Sequence, residues 1–335
     1  MTRWHVHTVA VAMTVKDDPV GSAVTLSSLA AQTRRPDEII VVDGGSTDNT
    51  VQVVRQYAAT MPQLRVIEVS GANIARGRNI ATEAANSEII ATIDAGCRAE
   101  PQWLDRLLAP FACGQNVEFV AGFYRIETRS LLEQVVGLAT MRGQLKAVSP
   151  SSFNPSCRSL ALTKALWLRA GGWPEWVDYS EDTLFDHKIR RMNVGWHFAG
   201  DAVVHWRPRS SFGAIAKQFY NYGTGRGHTQ IDAESFRYNL RNTVIVLTAG
   251  GLCVLSAWAV LPFVVLCAYF FVWVRHAQAA RVARHTGEWL AYPMCLCVVW
   301  VTMSAHLCGY LVGSWQRMRD QDRYRHRMEA YLAGS

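Results

Sequence analysis

Up to about residue 125, short β-branched runs alternate with stretches whose apolar residues recur at helical spacing. The runs Thr8–Val15, Ile39–Val42, Leu64–Val69, Ile89–Ile93 and Val117–Tyr124 predict strands, with helices between them. Strand–helix–strand order predicts an α/β fold with a largely parallel sheet, helices on both faces, and ligands gathered at the carboxyl ends of the strands. Beyond Glu127 the pattern is less regular. It predicts a helix from Leu131 to about Ala147, a Ser/Pro-rich loop over Ser149–Pro155, a short strand near Ser159–Leu162 and a helix over Lys164–Ala170 that runs into Gly171-Gly172-Trp173-Pro174. Ser180 reads as the N-cap of a helix through Arg191, Trp196–Phe198 and Ala202–Trp206 as two strands, and Phe212–Tyr222 as an aromatic-rich helix.

Two later stretches have no polar face at all. Asn242 to Val274 holds no charged residue, and in Ala291 to Trp315 the only candidate for charge is His306. Both exceed the roughly 20 residues of a spanning helix. One tilted helix is expected for the first, rather than a hairpin around Pro262. It leaves Arg275, Arg281 and Arg284 outside and keeps Arg237, Arg241 and the tail residues Arg317, Arg319, Arg323, Arg325 and Arg327 inside. The 335 residues therefore divide into a cytosolic domain over 1–240, a transmembrane region over 241–315 with two or three helices, and a basic cytosolic tail over 316–335.

Composition agrees: 50% hydrophobic and 18% charged residues suit a chain lying partly in lipid. The early apolar stretch Val9–Val15 is cut off by Lys16, Asp17 and Asp18, so it reads as a strand and not as an export signal, which places the first 240 residues in the cytoplasm. The net charge is +7, the tail arginines Arg317, Arg319, Arg323, Arg325 and Arg327 are expected beside membrane lipid, and no basic run interleaved with aromatics suggests nucleic acid as a partner. The eight cysteines, Cys97, Cys113 and Cys157 far apart and five in the apolar third, form neither a zinc pattern nor a disulfide framework and are expected to be packing thiols.

Candidate chemistry lies where two strands end on an acid, Asp43 and Asp94. Asp43 opens Gly44-Gly45-Ser46-Thr47-Asp48-Asn49-Thr50, which reads either as a plain βα turn with Ser46 capping a helix from Thr47, or as a turn in which Asp43 accepts hydrogen bonds from a nucleoside. The first strand lacks the glycines of a dinucleotide site and no phosphate-cradling G-x-x-x-x-G-K-[ST] occurs, so a bound diphosphate would need a metal and basic side chains. Asp94 suits Mg²⁺ or Mn²⁺, and Arg76 and Arg78 offer positive charge, although both also fit a solvated helix face.

Taken together, these segments resemble the family-2 glycosyltransferases of GT-A fold over nearly the whole chain. Val41-Val42-Asp43-Gly-Gly-Ser-Thr-Asp48 looks like the family's nucleoside-binding turn, and Ala75-Arg76-Gly-Arg78-Asn79 like its donor-binding helix. Ile93-Asp94-Ala-Gly-Cys97 sits where the family carries its DxD metal motif, without the second acid, and Ser180-Glu181-Asp182 resembles the acceptor-side ED motif. The Asp-Ala-Gly-Cys run and the ending His306-Leu-Cys-Gly-Tyr-Leu-Val-Gly are similar to membrane-anchored succinoglycan-type exopolysaccharide enzymes.

The resemblance implies an inverting transferase of the cell membrane, multi-pass, with its catalytic domain facing the cytoplasm. It would take a nucleotide-sugar donor, a divalent metal (Mg²⁺ or Mn²⁺) on Asp94, and a lipid-linked or saccharide acceptor. Donor binding would fall to Asp43, Arg76, Arg78, Asn79 and Asp94, and acceptor binding to Glu181, Trp173, Tyr222 and Arg226. Tyr222 and Arg226 lie in Gln218-Phe-Tyr-Asn-Tyr222-Gly-Thr-Gly-Arg226, read as a flexible interfacial segment or an aromatic belt. Asp182, in the first turn of its helix where the dipole favours the ionised form, is the expected general base. Two other readings stand beside this one: a polyprenyl-phosphate sugar synthase, and a catalytically silent membrane scaffold of the same shape.

Overall fold

The computed structural model describes residues 7–112, 116–141, 153–231 and 233–334. Cys113, the expected helix over 142–147 and the loop over 149–152 lie outside the described residues. The chain folds as two compact units that do not follow chain order: one holds Met1–Arg125, Val148–Arg207 and His326–Ser335, the other Ile126–Ala147 and Pro208–Arg325.

The first unit is built on a sheet of β1 (Val9–Val15), β2 (Glu38–Asp43), β3 (Leu64–Glu68), β4 (Ile89–Thr92), β5 (Arg98–Ala99), β6 (Val117–Ile126), β7 (Leu160–Thr163) and β8 (Gly195–Trp206), in the order β3-β2-β1-β4-β7-β6-β8-β5. The first half is parallel, as the alternating pattern predicts: β1 pairs with β2 and β4, and β2 with β3. The second half is not. β7 pairs antiparallel with both β4 and β6, and β5 antiparallel with β8. The expectation of a largely parallel sheet therefore holds for one half only, because β7, which comes later in the chain, inserts between β4 and β6, and apolar periodicity does not encode a strand's partner. The two strands expected over 196–206 are one continuous strand, β8.

Helices α1 (Pro19–Ala30), α2 (Thr50–Ala58), α3 (Ile74–Ala84), α4 (Trp103–Ala112), α6 (Lys164–Ala170) and α7 (Glu181–Arg191) complete this unit; α5 (Leu131–Thr140) belongs to the other. Their ends follow local chemistry. Asp18 caps α1, accepting from the Gly21 amide at 2.8 Å ahead of Pro19, and Asn73 caps α3 at the Arg76 amide at 2.9 Å. Gly171, at φ 73°, ends α6 in the left-handed region that glycine enters without strain. Two buried clusters line the sheet, one around Val11, Met13, Ile39 and Trp103, the other around Ile40, Phe119, Trp173 and Phe185. The last helix, α13 (Arg327–Ala333), also packs here: the Tyr331 hydroxyl donates to the Gly172 carbonyl at 2.8 Å, and Lys188 Nζ lies 4.2 Å from the centre of its ring.

The second unit is helical. α5 packs against α11 (Val274–Thr286) and α12 (Ala291–Arg319) through Val135, Val136, Val282, Cys295 and Val298. α8 (Phe212–Thr229) runs beside the C-terminal half of α12 in the same direction, with backbones meeting at glycines. A Cβ at Gly223 or Gly227 would overlap the carbonyl oxygens of His306 or Tyr310, and one at Gly309 or Gly313 those of Tyr220 or Thr224. Small residues four apart on both helices permit this approach, the packing mode that replaces hydrophobic burial in lipid.

α9 (Ala233–Leu255) ends at Ser256, whose backbone is extended, and a 3₁₀ turn leads into α10 (Val260–Cys267), which packs back on α9. The single helix expected over 242–274 is therefore broken after Leu255. The apolar pattern is continuous there, but the backbone breaks at Ser256 and not at Pro262. Among the described residues, Phe236–Leu255 and Ala291–Arg319 are long and apolar enough to cross a membrane, and the pair Ala257–Phe270 and Val274–Thr286, bent by 43°, is a third candidate.

Candidate active site

Both acid-ended strands, β2 and β4, deliver their aspartates to the same edge of the parallel half-sheet. Asp43 is buried, and its carboxylate holds its own turn: Oδ1 accepts the amides of Gly45 at 2.9 Å and Ser46 at 2.8 Å, and Oδ2 accepts the Ser46 hydroxyl. Ser46 therefore serves Asp43 and does not cap a helix, and α2 starts later, at Thr50. The turn is braced from β1 as well, where Asp17 Oδ1 accepts the Thr47 amide at 2.7 Å from a backbone at φ 50°.

Asp94 follows β4 and meets α3 from the side. Arg78, 5% exposed, donates from one end of its guanidinium to Asp94 Oδ1 at 2.9 Å and from the other to Glu181 Oε1 at 2.6 Å. This fork joins three segments far apart in the chain: α3, the end of β4 and the start of α7. Burial opposes the charge of Arg78, but the surrounding carboxylates of Asp94, Glu181 and Asp182 outweigh it and hold the guanidinium protonated well beyond its ordinary range. For Glu181, burial is the largest influence and raises the carboxyl above the usual range; Asp182 pushes the same way and Arg78 pulls back. Its proton is easier to keep because one cation serves several acids.

Asp182, half-buried in the first turn of α7, accepts the Thr183 amide at 2.7 Å. Ser180 stands at the N-cap position but in the left-handed region, at φ 65°, and makes no side-chain cap bond, so the turn before α7 is shaped by backbone and not by the expected serine cap.

Other expected site residues are placed differently. Arg76 is exposed on α3, turned away from the pair that Arg78 makes. Asn79 is fully engaged by protein: its amide donates to the Trp173 carbonyl and to Glu175, each at 2.8 Å, and its oxygen accepts from the Trp173 amide at 2.8 Å and the Trp167 indole at 3.1 Å. Trp173 is 1% exposed and stacks on Phe185 at 4.9 Å. Both were expected to touch ligand; the structure makes Asn79 the pin of the Gly172–Trp173 turn and Trp173 part of the core, because a large apolar ring next to a helix is more favourably buried than exposed. Tyr222 and Arg226 lie on α8 in the second unit, within a continuous helix and not a flexible segment, and Gln218 donates to the Tyr222 hydroxyl at 2.9 Å.

Sequence reasoning missed Arg158. It precedes β7, its Nε lies 3.9 Å from Asp94 Oδ2, and its guanidinium lies against Trp206 at 4.8 Å and Tyr124 at 5.6 Å. The signal was in strand pairing. Thr92 faces Leu160 across β4 and β7, and continuing that antiparallel register by two residues sets Asp94 opposite Arg158.

Three carboxylates, Asp94, Glu181 and Asp182, thus share two guanidinium groups. Among the described residues no three His, Cys, Asp or Glu side chains gather as a protein-only metal cage. A hard divalent cation that brings substrate phosphates needs only one or two carboxylates from the protein. Asp94, 31% exposed in a cluster with an excess of acids, fits that requirement. Cys97 and Cys157 are buried, and burial, the first cause for each, pushes both thiols far up, so they are inert packing groups at neutral pH.

Residues 23–157, which include Asp43, Arg78 and Asp94, match the model of glycosyl transferase family 2. That stretch is the family-2 glycosyltransferase part of the chain. The chain is 26% identical to the glycosyltransferase AglE of Haloferax volcanii over 60% of this chain and 67% of that protein. It is 21% identical to the succinoglycan biosynthesis protein ExoA of Rhizobium meliloti over 72% of this chain and 77% of that one. Among solved structures, the mannosyltransferase PcManGT from Pyrobaculum calidifontis, in complex with GDP-Man and Mn²⁺, aligns with 98% of this chain and 85% of its own at a TM-score of 0.52 and 19% identity, which shows a shared fold. The half-parallel, half-antiparallel sheet is thus the GT-A fold, and the chain is a glycosyltransferase.

Proposed function

We propose that this glycosyltransferase moves a sugar from a nucleotide diphosphate donor to an acceptor hydroxyl with inversion at the anomeric carbon, at the cytoplasmic face of a membrane. The observation that carries the reading is the Arg78 fork, which links the donor-side acid Asp94 to the acceptor-side pair Glu181–Asp182. The acceptor is a lipid-linked saccharide in this reading. The apolar helices of the second unit and the likeness to ExoA, a succinoglycan biosynthesis protein, support it.

In the reaction, Asp182 takes the proton of the acceptor hydroxyl; the oxygen attacks the anomeric carbon, and the bond to the donor diphosphate breaks on the opposite side. Glu181 hydrogen-bonds the acceptor, and Arg78 keeps the two sides of the site at fixed separation. Asp94 would hold a divalent cation, which supplies charge neutralisation for the departing diphosphate. The Asp43 turn receives the nucleoside.

The test is transfer of radiolabelled sugar from a panel of UDP- and GDP-sugars to lipid-linked saccharides extracted from the native membrane, using purified full-length protein. Transfer that is lost in Asp94→Asn and Asp182→Asn supports the assignment. Undiminished transfer in either variant removes that residue from its role, and a product that retains anomeric configuration rejects direct displacement.

A further inference from the structure

We propose that α11 lies along the membrane surface and holds anionic phospholipid headgroups with Arg281 and Arg284, an inference that rests on the membrane reading above and adds to it a class of lipid. α11 is the polar half of a bent pair, met at 43° by the apolar stretch Ala257–Phe270. Its 13 residues carry Arg275, Arg281, Arg284, His276 and His285 and no acid. Three guanidinium groups are costly in hydrocarbon, so the helix belongs in the interface and not across the bilayer. The hairpin before it leads there. A Cβ at Gly250 would stand 3.2 Å from the Phe263 ring, on the far side of the break at Ser256, so α10 runs back along α9 toward the end from which α9 starts. Arg237 and Arg241 stand at that end. In this reading the arginines of α11 share their leaflet, whereas a single helix over 242–274 would set them on the opposite one.

The faces of α11 divide by chemistry. Ala279 and Val282 are buried against α5 and α12, whereas Arg281, Arg284 and His285 are exposed. Arg275 is not part of this surface: its guanidinium donates to Met303 Sδ at 3.0 Å and its Nε is buried. Arg284 Nε donates to the Ala280 carbonyl of its own helix at 3.3 Å. Among the described residues neither Arg281 nor Arg284 meets a carboxylate, not even that of Glu288 just beyond the helix. Trp273 and Trp289 flank α11, 74% and 76% exposed. A solvated face needs arginines alone. Large indole rings in the open at both ends of a basic helix fit the headgroup level, where the ring meets acyl chains and its N–H stays wet.

The experiment is native mass spectrometry of detergent-solubilised full-length protein titrated with phosphatidylglycerol or phosphatidylcholine. The proteins compared are wild type, Arg281→Gln/Arg284→Gln, Arg281→Lys/Arg284→Lys, and Arg35→Gln/Arg55→Gln, which removes the same charge from the exposed surface of the first unit. Wild type is expected to bind phosphatidylglycerol more tightly than phosphatidylcholine. A basic residue near an anionic surface is worth about fivefold, so the α11 glutamine pair should lose about 25-fold in phosphatidylglycerol affinity. Its phosphatidylcholine affinity and melting temperature should stay as in wild type, and the lysine pair should keep most of the anionic preference. Equal affinity of wild type for the two lipids overturns the proposal, as does an undiminished preference in the glutamine pair. An equal loss in Arg35→Gln/Arg55→Gln also overturns it, because the effect would then be one of net charge. If wild type stays in solution without detergent and floats with vesicles of neither lipid, the membrane reading itself fails, and this inference with it, whereas failure in the variants alone leaves that reading standing.

Discussion

The two units hold themselves together by opposite means. In the first, side chains reach: Arg78 extends from α3 to bind acids from β4 and α7, and Asn79, one residue on, fastens the turn before α7. In the second, side chains are missing where it matters: α8 and α12 touch because Gly223, Gly227, Gly309 and Gly313 present bare backbone. Charge pairing gives direction and a polar site; glycine packing lets two helix backbones meet closely. The chain keeps its buried arginine–carboxylate fork and its glycine-mediated helix contact in separate bodies, so damage to each should be separable.

The largest expected effect belongs to the first unit. Asp182→Asn should lower kcat by about 10²–10⁴-fold with donor Kd unchanged, because it removes the base while keeping its shape. Glu181→Gln and His187→Gln, the latter a titratable residue further along α7, measured in parallel decide the assignment: if either loses kcat while Asp182→Asn keeps it, the base is that residue.

Next in size is Arg78→Ala. Breaking a buried pair strands its partners, at a cost on the order of 3–5 kcal/mol, reduced here by the partial exposure of Asp94. The expected sign is a lower melting temperature together with weaker donor binding, read by scanning calorimetry and titration. A variant as stable as wild type would mean that Arg78 is not the fork joining the site.

Gly309→Ala and Gly223→Ala probe the other body. Even a methyl group would push α8 from α12, and overpacking of this kind typically costs about 1–3 kcal/mol. Melting in detergent should fall while the nucleotide Kd stays within experimental error. A change in nucleotide affinity equal to that of Arg78→Ala would collapse the distinction between the units.

The smallest effect is expected from Tyr331→Phe, which deletes one hydrogen bond to Gly172 while keeping the ring beside Lys188. The loss should be about 1 kcal/mol in the first unit, measured by denaturant unfolding. No loss would show that α13 is held by its ring alone.

Much of this was readable along the chain. The parallel half of the sheet, the helix over Lys164–Ala170 and the acids at the ends of β2 and β4 all follow from short-range pattern: β-branched runs, caps and turn residues act within a few positions of themselves. Arg78 was legible as a cation on a helix, but not as a fork, since a helix sequence does not say which side will be buried against two acids. The packing of Asn79 and Trp173 was not legible for the same reason: the turn after α6 holds them, and a residue adjacent to a motif takes its place only once that turn has a neighbour.

The sequence by itself determined where strands, helices and apolar spans lie and which residue types stand at their ends, because propensity, capping and periodicity are local. The tertiary structure alone decided that β7 enters beside β4 in antiparallel register. That register is a choice among strand partners of similar local pattern, settled by packing of the whole sheet, and it sets Arg158 against Asp94 across 64 positions of chain.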